Sequence, residues 1–379
     1  MLPATKSHRF SLADVIPSSF SAIRGQANPL SLTPVDRAIV LLVDGLGASA
    51  LSARAGHART IAAGLSPAST IGAQFPSTTA SSLATLTTGV SAGIHGLVGY
   101  SVLDAANDRV VNQLTGWDSR LDPATWQRVP TLFEAARDAG VATVAIGSER
   151  YRSTGFTNAV LRGAEYRTGA SIQDRFDQAR QALDEIGRGL IYLYVPELDQ
   201  AAHSAGWQSE LWTATLEELD RAVRQFAPSL GRTEGMLLTA DHGILDVPAS
   251  NHVLFDSDPR LIDGIRFVAG EPRALQLHFE PDASEAVRAT VLNVWREIEG
   301  SRSWVVSRPQ AIADGWFGAS VDREVVPRIG EIIVAARKAI AYYDSRVATP
   351  NGRSMIGQHG SWSTDELSIP LLRFGAFAG

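Results

Sequence analysis

A chain of 379 residues with 45% hydrophobic content can bury a large core, in one extended α/β domain or two ordinary ones. Its 34 Lys and Arg against 40 Asp and Glu give a formal net charge of -6, and no basic run tracks a phosphate backbone, which argues against a nucleic-acid polymer as partner. Cysteine is absent, so disulfides and thiolate metal sites are excluded and any metal must be held by carboxylate, imidazole, hydroxyl or water.

The opening residues MLPATKSHRFSLADVIPSSF lack the uninterrupted apolar stretch of a secretory signal. The first apolar run, 38–43 (AIVLLV), reads as a strand and is too short to cross a bilayer. A cytoplasmic protein without a membrane partner is therefore expected. Next come a helix over 79–88 opened by a Pro-Ser-Thr turn, a helix over 130–139, a strand at 141–146, a helix at 172–186, a strand at 190–195, a helix at 209–226 and a strand at 235–239. Short apolar runs alternating with amphipathic helices predict a doubly wound, mostly parallel sheet with helices on both faces. From 247 to 355 the pattern changes. Runs at 265–269 and 273–279, separated by Gly270-Glu271-Pro272, predict an antiparallel hairpin, and 282–298 a helix. A last core strand is expected at 369–373. One α/β domain over 1–379, carrying a small inserted α+β subdomain at 247–355, accounts for this order.

In open α/β sheets ligands bind at the carboxyl ends of the strands. There the apolar runs lead into Asp44-Gly45, into Pro196-Glu197-Leu198-Asp199 and into Ala240-Asp241-His242-Gly243. Carboxylates gathered at one edge repel unless a cation neutralises them. Asp199 and His203 are four apart, on one face of a helical turn, and His359 precedes Gly360. Together Asp44, Asp199, Asp241, His203, His242 and His359 suffice for two divalent ions with three protein ligands each, and this nitrogen and oxygen mixture suits zinc, with manganese the alternative. The hydroxyl cluster from Ser77 to Ser82 stands at a helix N-terminus, where backbone N–H groups favour phosphate. A metal-bound threonine hydroxyl there can act as nucleophile, Thr79 in first place and Thr78 in second.

These motifs, Val43-Asp44-Gly45, Phe75-Pro76-x-x-Thr79, Asp199-x-x-x-His203, Asp241-His242-Gly243 and His359-Gly360, in this order, resemble the alkaline phosphatase superfamily and its type I phosphodiesterase/nucleotide pyrophosphatase family. The resemblance implies one zinc held by Asp199, His203 and His359 and a second held by Asp44, Asp241, His242 and the Thr79 hydroxyl. It also implies in-line attack by Thr79 on a small phosphate ester or nucleotide, through a phospho-threonine intermediate that water cleaves. Where the phosphodiesterases carry a phosphate-binding asparagine, Tyr100 stands here, whose phenol could donate a hydrogen bond instead.

Phosphomonoesterase and phosphonate hydrolase activities are the alternatives within the superfamily. No Arg or Lys occurs from Phe75 to Tyr100, which favours diesters unless Arg260, Arg266 or Arg346 reaches the site. A rival of another class rests on Gly45-Leu46-Gly47-Ala48-Ser49-Ala50, a dinucleotide-binding fingerprint of Rossmann oxidoreductases. It demands a ribose-binding acid about twenty residues on, yet no Asp or Glu lies between Asp44 and Asp104. His8, His57, His95, His252 and His278 have no spacing that ties them to the site and are assigned to structure or surface. Trp207 and Trp362 are expected to shape a leaving-group pocket.

Overall fold

The computed structural model describes residues 8–347 and 349–378. Its principal strands in chain order are β1 (Arg37–Val43), β2 (Thr70–Gly72), β3 (Ser101–Asp104), β4 (Arg109–Asn112), β5 (Ala142–Gly147), β6 (Glu165–Thr168), β7 (Gly189–Val195), β8 (Glu234–Thr239), β9 (Ile265–Glu271), β10 (Ala274–Phe279), β11 (Ser303–Ser307), β12 (Ile332–Ala336) and β13 (Ser368–Gly375). The central sheet has seven strands in the order β2-β13-β8-β1-β7-β5-β6. β1 lies at its middle, parallel to β7 and β8, and is buried from Ala38 to Val43. Burial on both faces explains why this strand is a continuous apolar run without alternation.

The register places the chemistry. Val43 pairs with Val195, and Leu42 with Thr239, so the residues just past β1, β7 and β8 emerge at one level of one edge. Helices α1 (Thr79–Thr88), α2 (Leu132–Asp138), α3 (Gly155–Val160), α4 (Ile172–Glu185), α5 (Glu197–Ala205) and α6 (Glu210–Phe226) supply the layers around this sheet. Four of them match the sequence expectations over 79–88, 130–139, 172–186 and 209–226. The expected strand at 369–373 is present as β13, but it runs antiparallel to β8. The polar edge strand β6 was invisible to apolar-run reading, since none of its residues is fully buried.

The hairpin expected at 265–279 forms as β9 and β10, and α7 (Glu285–Glu299) follows it. These belong to a four-stranded antiparallel sheet in the order β9-β10-β12-β11. Alternation along β10 sends Leu275, Leu277 and Phe279 into a core with Val291 and Trp295 of α7, while Ala274 joins Phe75, Val98 and Val102 of the main body. One face of the inserted sheet thus packs on its own helix and the other on the nucleophile-bearing side of the chain. Among the described residues no helix is long and apolar enough to cross a membrane.

Candidate active site

Asp44 follows β1, Asp241 and His242 follow β8, Asp199 and His203 sit one turn apart on α5, Thr79 opens α1 and His359 lies in the segment before β13. The sheet brings them together as two groups, Asp199 with His203 and His359, and Asp44 with Asp241 and His242, the potential ligand atoms of each group lying within 4.8 Å of one another. His203 Nε2 is 3.2 Å from Asp199 Oδ2. His242 Nε2 is 3.3 Å from Asp241 Oδ2, 3.5 Å from Asp44 Oδ1 and 3.2 Å from Thr79 Oγ1. The two groups adjoin, since the His242 and His359 rings stack with centroids 3.7 Å apart.

The protons in this cluster follow from its hydrogen bonds. Nδ1 of His203 meets the Gly357 carbonyl at 2.7 Å, Nδ1 of His242 the Gly243 carbonyl at 3.2 Å and Nδ1 of His359 the Ser77 carbonyl at 2.8 Å. A carbonyl only accepts, so each Nδ1 carries a hydrogen, and each ring in its neutral form turns a bare Nε2 lone pair toward the carboxylates, whereas for His203 the lowering by burial is outweighed by Asp199, which raises its pKa. Asp44 Oδ1, Asp199 Oδ1 and Asp241 Oδ2 are buried without any hydrogen-bond partner. Lone pairs converging on lone pairs in a dry site are stable only with a cation between them. The donor set, three carboxylates and three imidazoles with orphaned atoms aimed inward, fits two divalent ions.

The electrostatics agree. Burial, aided by the charges of Asp241 and Asp199, pushes the Asp44 carboxyl well above its ordinary range. Burial and then Asp199 push Asp241 up to about 7. Burial also raises Asp199, but His203 and the other imidazoles outweigh it and hold this carboxyl below its usual range. Burial lowers His242 to about 4 and His359 to about 3, which keeps both rings neutral, the state in which imidazole binds metal.

A cavity of about 410 Å³ opens from Asp44, Thr79 and Asp199 and is walled by Ile146, Phe156, Tyr166 and Tyr192. Two residues of this region were not anticipated from the sequence. Tyr194 donates its phenol hydrogen to Asp44 Oδ2. Arg150, just past β5, lines the cavity with its guanidinium 4.6 Å from the Tyr151 ring centroid. The rule that found Asp44 and Asp241, polar residues directly after an apolar run, also reaches Arg150 when applied to β5. A third is Glu271 at the end of β9, buried beside the Thr78 hydroxyl with neither carboxyl oxygen hydrogen-bonded, its pKa pushed by burial up to about 8.

Other expectations fall outside this arrangement. Tyr100 is 39% exposed and does not line the cavity; its carbonyl accepts from Gln113 N. Arg260 pairs with Asp258, Arg266 with Asp108 and Glu280, and Arg346 with Asp344, so none brings a cation to Thr79. Trp362 stacks on Phe75 in a core cluster and Trp207 packs on Trp212, both away from the cavity wall. His95 is structural, as expected, buried beside Thr85 with its Nδ1 accepting from Leu97 N. The glycines of the dinucleotide fingerprint serve the site itself. Gly45 has φ 72 and a Cβ there would lie 3.0 Å from Asp199 Oδ1, while one on Gly47 would lie 2.9 Å from the Asp365 carbonyl, so both are required by close packing of the ligand-bearing loops.

The likeness to solved structures is one of fold. Phosphonoacetate hydrolase from Sinorhizobium meliloti 1021, in complex with phosphonoformate, aligns with a TM-score of 0.69 at 16% identity over 90% of this chain and 91% of its own. Murine ectonucleotide pyrophosphatase/phosphodiesterase 5 aligns with a TM-score of 0.65 at 14% identity over 89% and 88%. An inactive threonine-to-alanine variant of that murine protein in complex with AMP aligns equally well. No curated protein sequence matches the chain. The sequence model of the type I phosphodiesterase/nucleotide pyrophosphatase family, however, matches residues 38–362, which spans every residue of the two carboxylate and imidazole groups, and the chain belongs to that family of phosphoester hydrolases.

Proposed function

We propose that the chain hydrolyses phosphate diesters or nucleotide pyrophosphates with Thr79 as nucleophile and two zinc ions as cofactors. One ion would be held by Asp199, His203 and His359, the other by Asp44, Asp241, His242 and Thr79. When bound, the ions supply positive charge for the phosphoryl oxygens and lower the pKa of a bound hydroxyl or water. Thr79 Oγ1 would attack phosphorus as the bond to the leaving oxygen breaks, its hydroxyl proton passing by way of solvent to that leaving oxygen. Water would then form the new bond to phosphorus as the Oγ1 bond breaks, one water proton returning to Oγ1 as the phosphate product leaves. α1 begins at Thr79 without a side-chain cap, so its first N–H groups are left to face an anionic oxygen. The tyrosine-lined cavity suits an aromatic or nucleoside group, and the AMP complex of the murine variant fits that choice.

The observation that carries this reading is the Thr79 hydroxyl against His242 at the mouth of that cavity. Thr79→Ala should slow hydrolysis of an aryl diester or a dinucleoside polyphosphate at least about a thousandfold while zinc content stays unchanged. Undiminished turnover would remove Thr79 from its role. Arg150 favours a second reading, phosphonate or monoester hydrolysis, because it offers a cation for an additional negative charge. A comparison of kcat/KM over diesters, monoesters and phosphonates, with and without Arg150→Gln, separates the two readings.

A further inference from the structure

A second cavity, of about 320 Å³, lies where the end of β10 meets the first turns of α7, and His278, Arg266, Arg288, Arg308, Asp108 and Glu331 line it. One of its arginines stands outside the ion pairs. Arg266 is paired with Asp108 and Glu280. Glu331 is paired with Arg288 and also accepts from Phe279 N at 2.9 Å, so it is already engaged. Arg308, fixed by donation from Nε to the Ile329 carbonyl at 2.8 Å, has no carboxylate partner among the described residues. His278 is 2% exposed and neither ring nitrogen has a hydrogen-bond partner. A neutral imidazole carries one N–H, and a buried N–H beside an uncompensated guanidinium is the complement of an oxyanion, which takes a hydrogen bond from one and charge from the other.

We propose that this cavity is a binding site for a phosphate-type oxyanion, held by the Arg308 guanidinium and the His278 ring N–H. It is separate from the catalytic centre, since none of its lining residues lines the cavity that opens from Thr79. Inorganic phosphate and a terminal phosphoryl group share this chemistry.

The test uses metal-depleted protein, in which the catalytic centre has no ions to draw phosphate. Calorimetric titration with inorganic phosphate, against chloride at matched ionic strength, should show one binding event per chain. It should persist in Thr79→Ala and weaken at least tenfold in Arg308→Gln and in His278→Phe, the latter keeping the ring volume. Phosphate should raise the Tm of the unaltered chain and not that of Arg308→Gln, which separates lost binding from lost folding. A parallel titration with glucose 6-phosphate assigns the source: the tighter of the two ligands identifies free or terminal phosphate, and either supports the site. No phosphate binding, or binding unaffected by both Arg308→Gln and His278→Phe, overturns it.

Discussion

His203, His242 and His359 each spend Nδ1 on a backbone carbonyl, and this fixes which nitrogen is free for a metal. The carboxylates are held in the same manner. Gly45 N and His242 N both donate to Asp241 Oδ1, at 3.1 and 3.0 Å, and Tyr194 donates to Asp44 Oδ2, leaving Asp241 Oδ2 and Asp44 Oδ1 bare. Tyr194→Phe should weaken zinc at the Asp44 group by about 10- to 100-fold, the usual cost of losing such an orienting partner, as read by competition with a chelator. Unchanged affinity would show that Asp44 is oriented without the phenol. Glu271 makes a prediction about pH. Its folded-state value of about 8 lies above the ordinary 4.5, so between those limits the folded chain keeps a proton that the unfolded chain has lost. Stability must then fall as pH rises through that window and flatten above it. Glu271→Gln should remove this slope and gain on the unaltered chain from about pH 5 to about pH 8, in urea melts at several pH values; parallel profiles would contradict it.

The strand end is the element that made the site legible. β1, β7 and β8 are buried apolar runs, and the polar residues just past them single out Asp44, Asp199, Asp241 and His242 as candidate ligands. The structure gathers these with His203, His359 and Thr79 into two adjoining groups. What escaped has a physical cause in each case. Tyr194 lies inside β7 and reads as a strand aromatic, although its hydroxyl serves Asp44. Arg150 lies three residues past β5, behind Glu149, which pairs with Arg152 and does not line the cavity. Tyr100 was selected by its place in a motif, whereas the chain leaves it at the surface. β13 was found as a strand but not as an antiparallel one, because direction depends on where the preceding chain re-enters the sheet and not on local periodicity.

At the scale of the whole molecule the inserted sheet is tied to the catalytic body by one buried ion pair. Arg273, just before β10, donates to Glu366 through Nε at 2.7 Å and a terminal nitrogen at 2.8 Å, and both side chains are fully buried. Glu366 also accepts from Ser361 N at 2.9 Å, two residues beyond His359, so the same carboxylate braces the segment that carries a ligand. Glu366→Ala leaves Arg273 buried and unpaired and should cost about 3–5 kcal/mol, measured by chemical denaturation. Replacing both, as Arg273→Met with Glu366→Leu, should recover most of that loss, and a double variant no more stable than Glu366→Ala would show that the pair is not the source. This tie, like the pairing of β12 with β10 and β11, joins segments far apart in sequence, and such pairings leave no local signal; the hairpin of β9 and β10, closed by Pro272 and Arg273, did leave one.

The central claim is that two divalent ions occupy the two carboxylate and imidazole groups at the strand ends. Anomalous scattering at the zinc edge from crystals of zinc-loaded protein tests it directly. Two peaks per chain are predicted, one bounded by Asp199, His203 and His359 and one by Asp44, Asp241, His242 and Thr79; a single peak, or zinc bound elsewhere with these groups empty, would contradict the account.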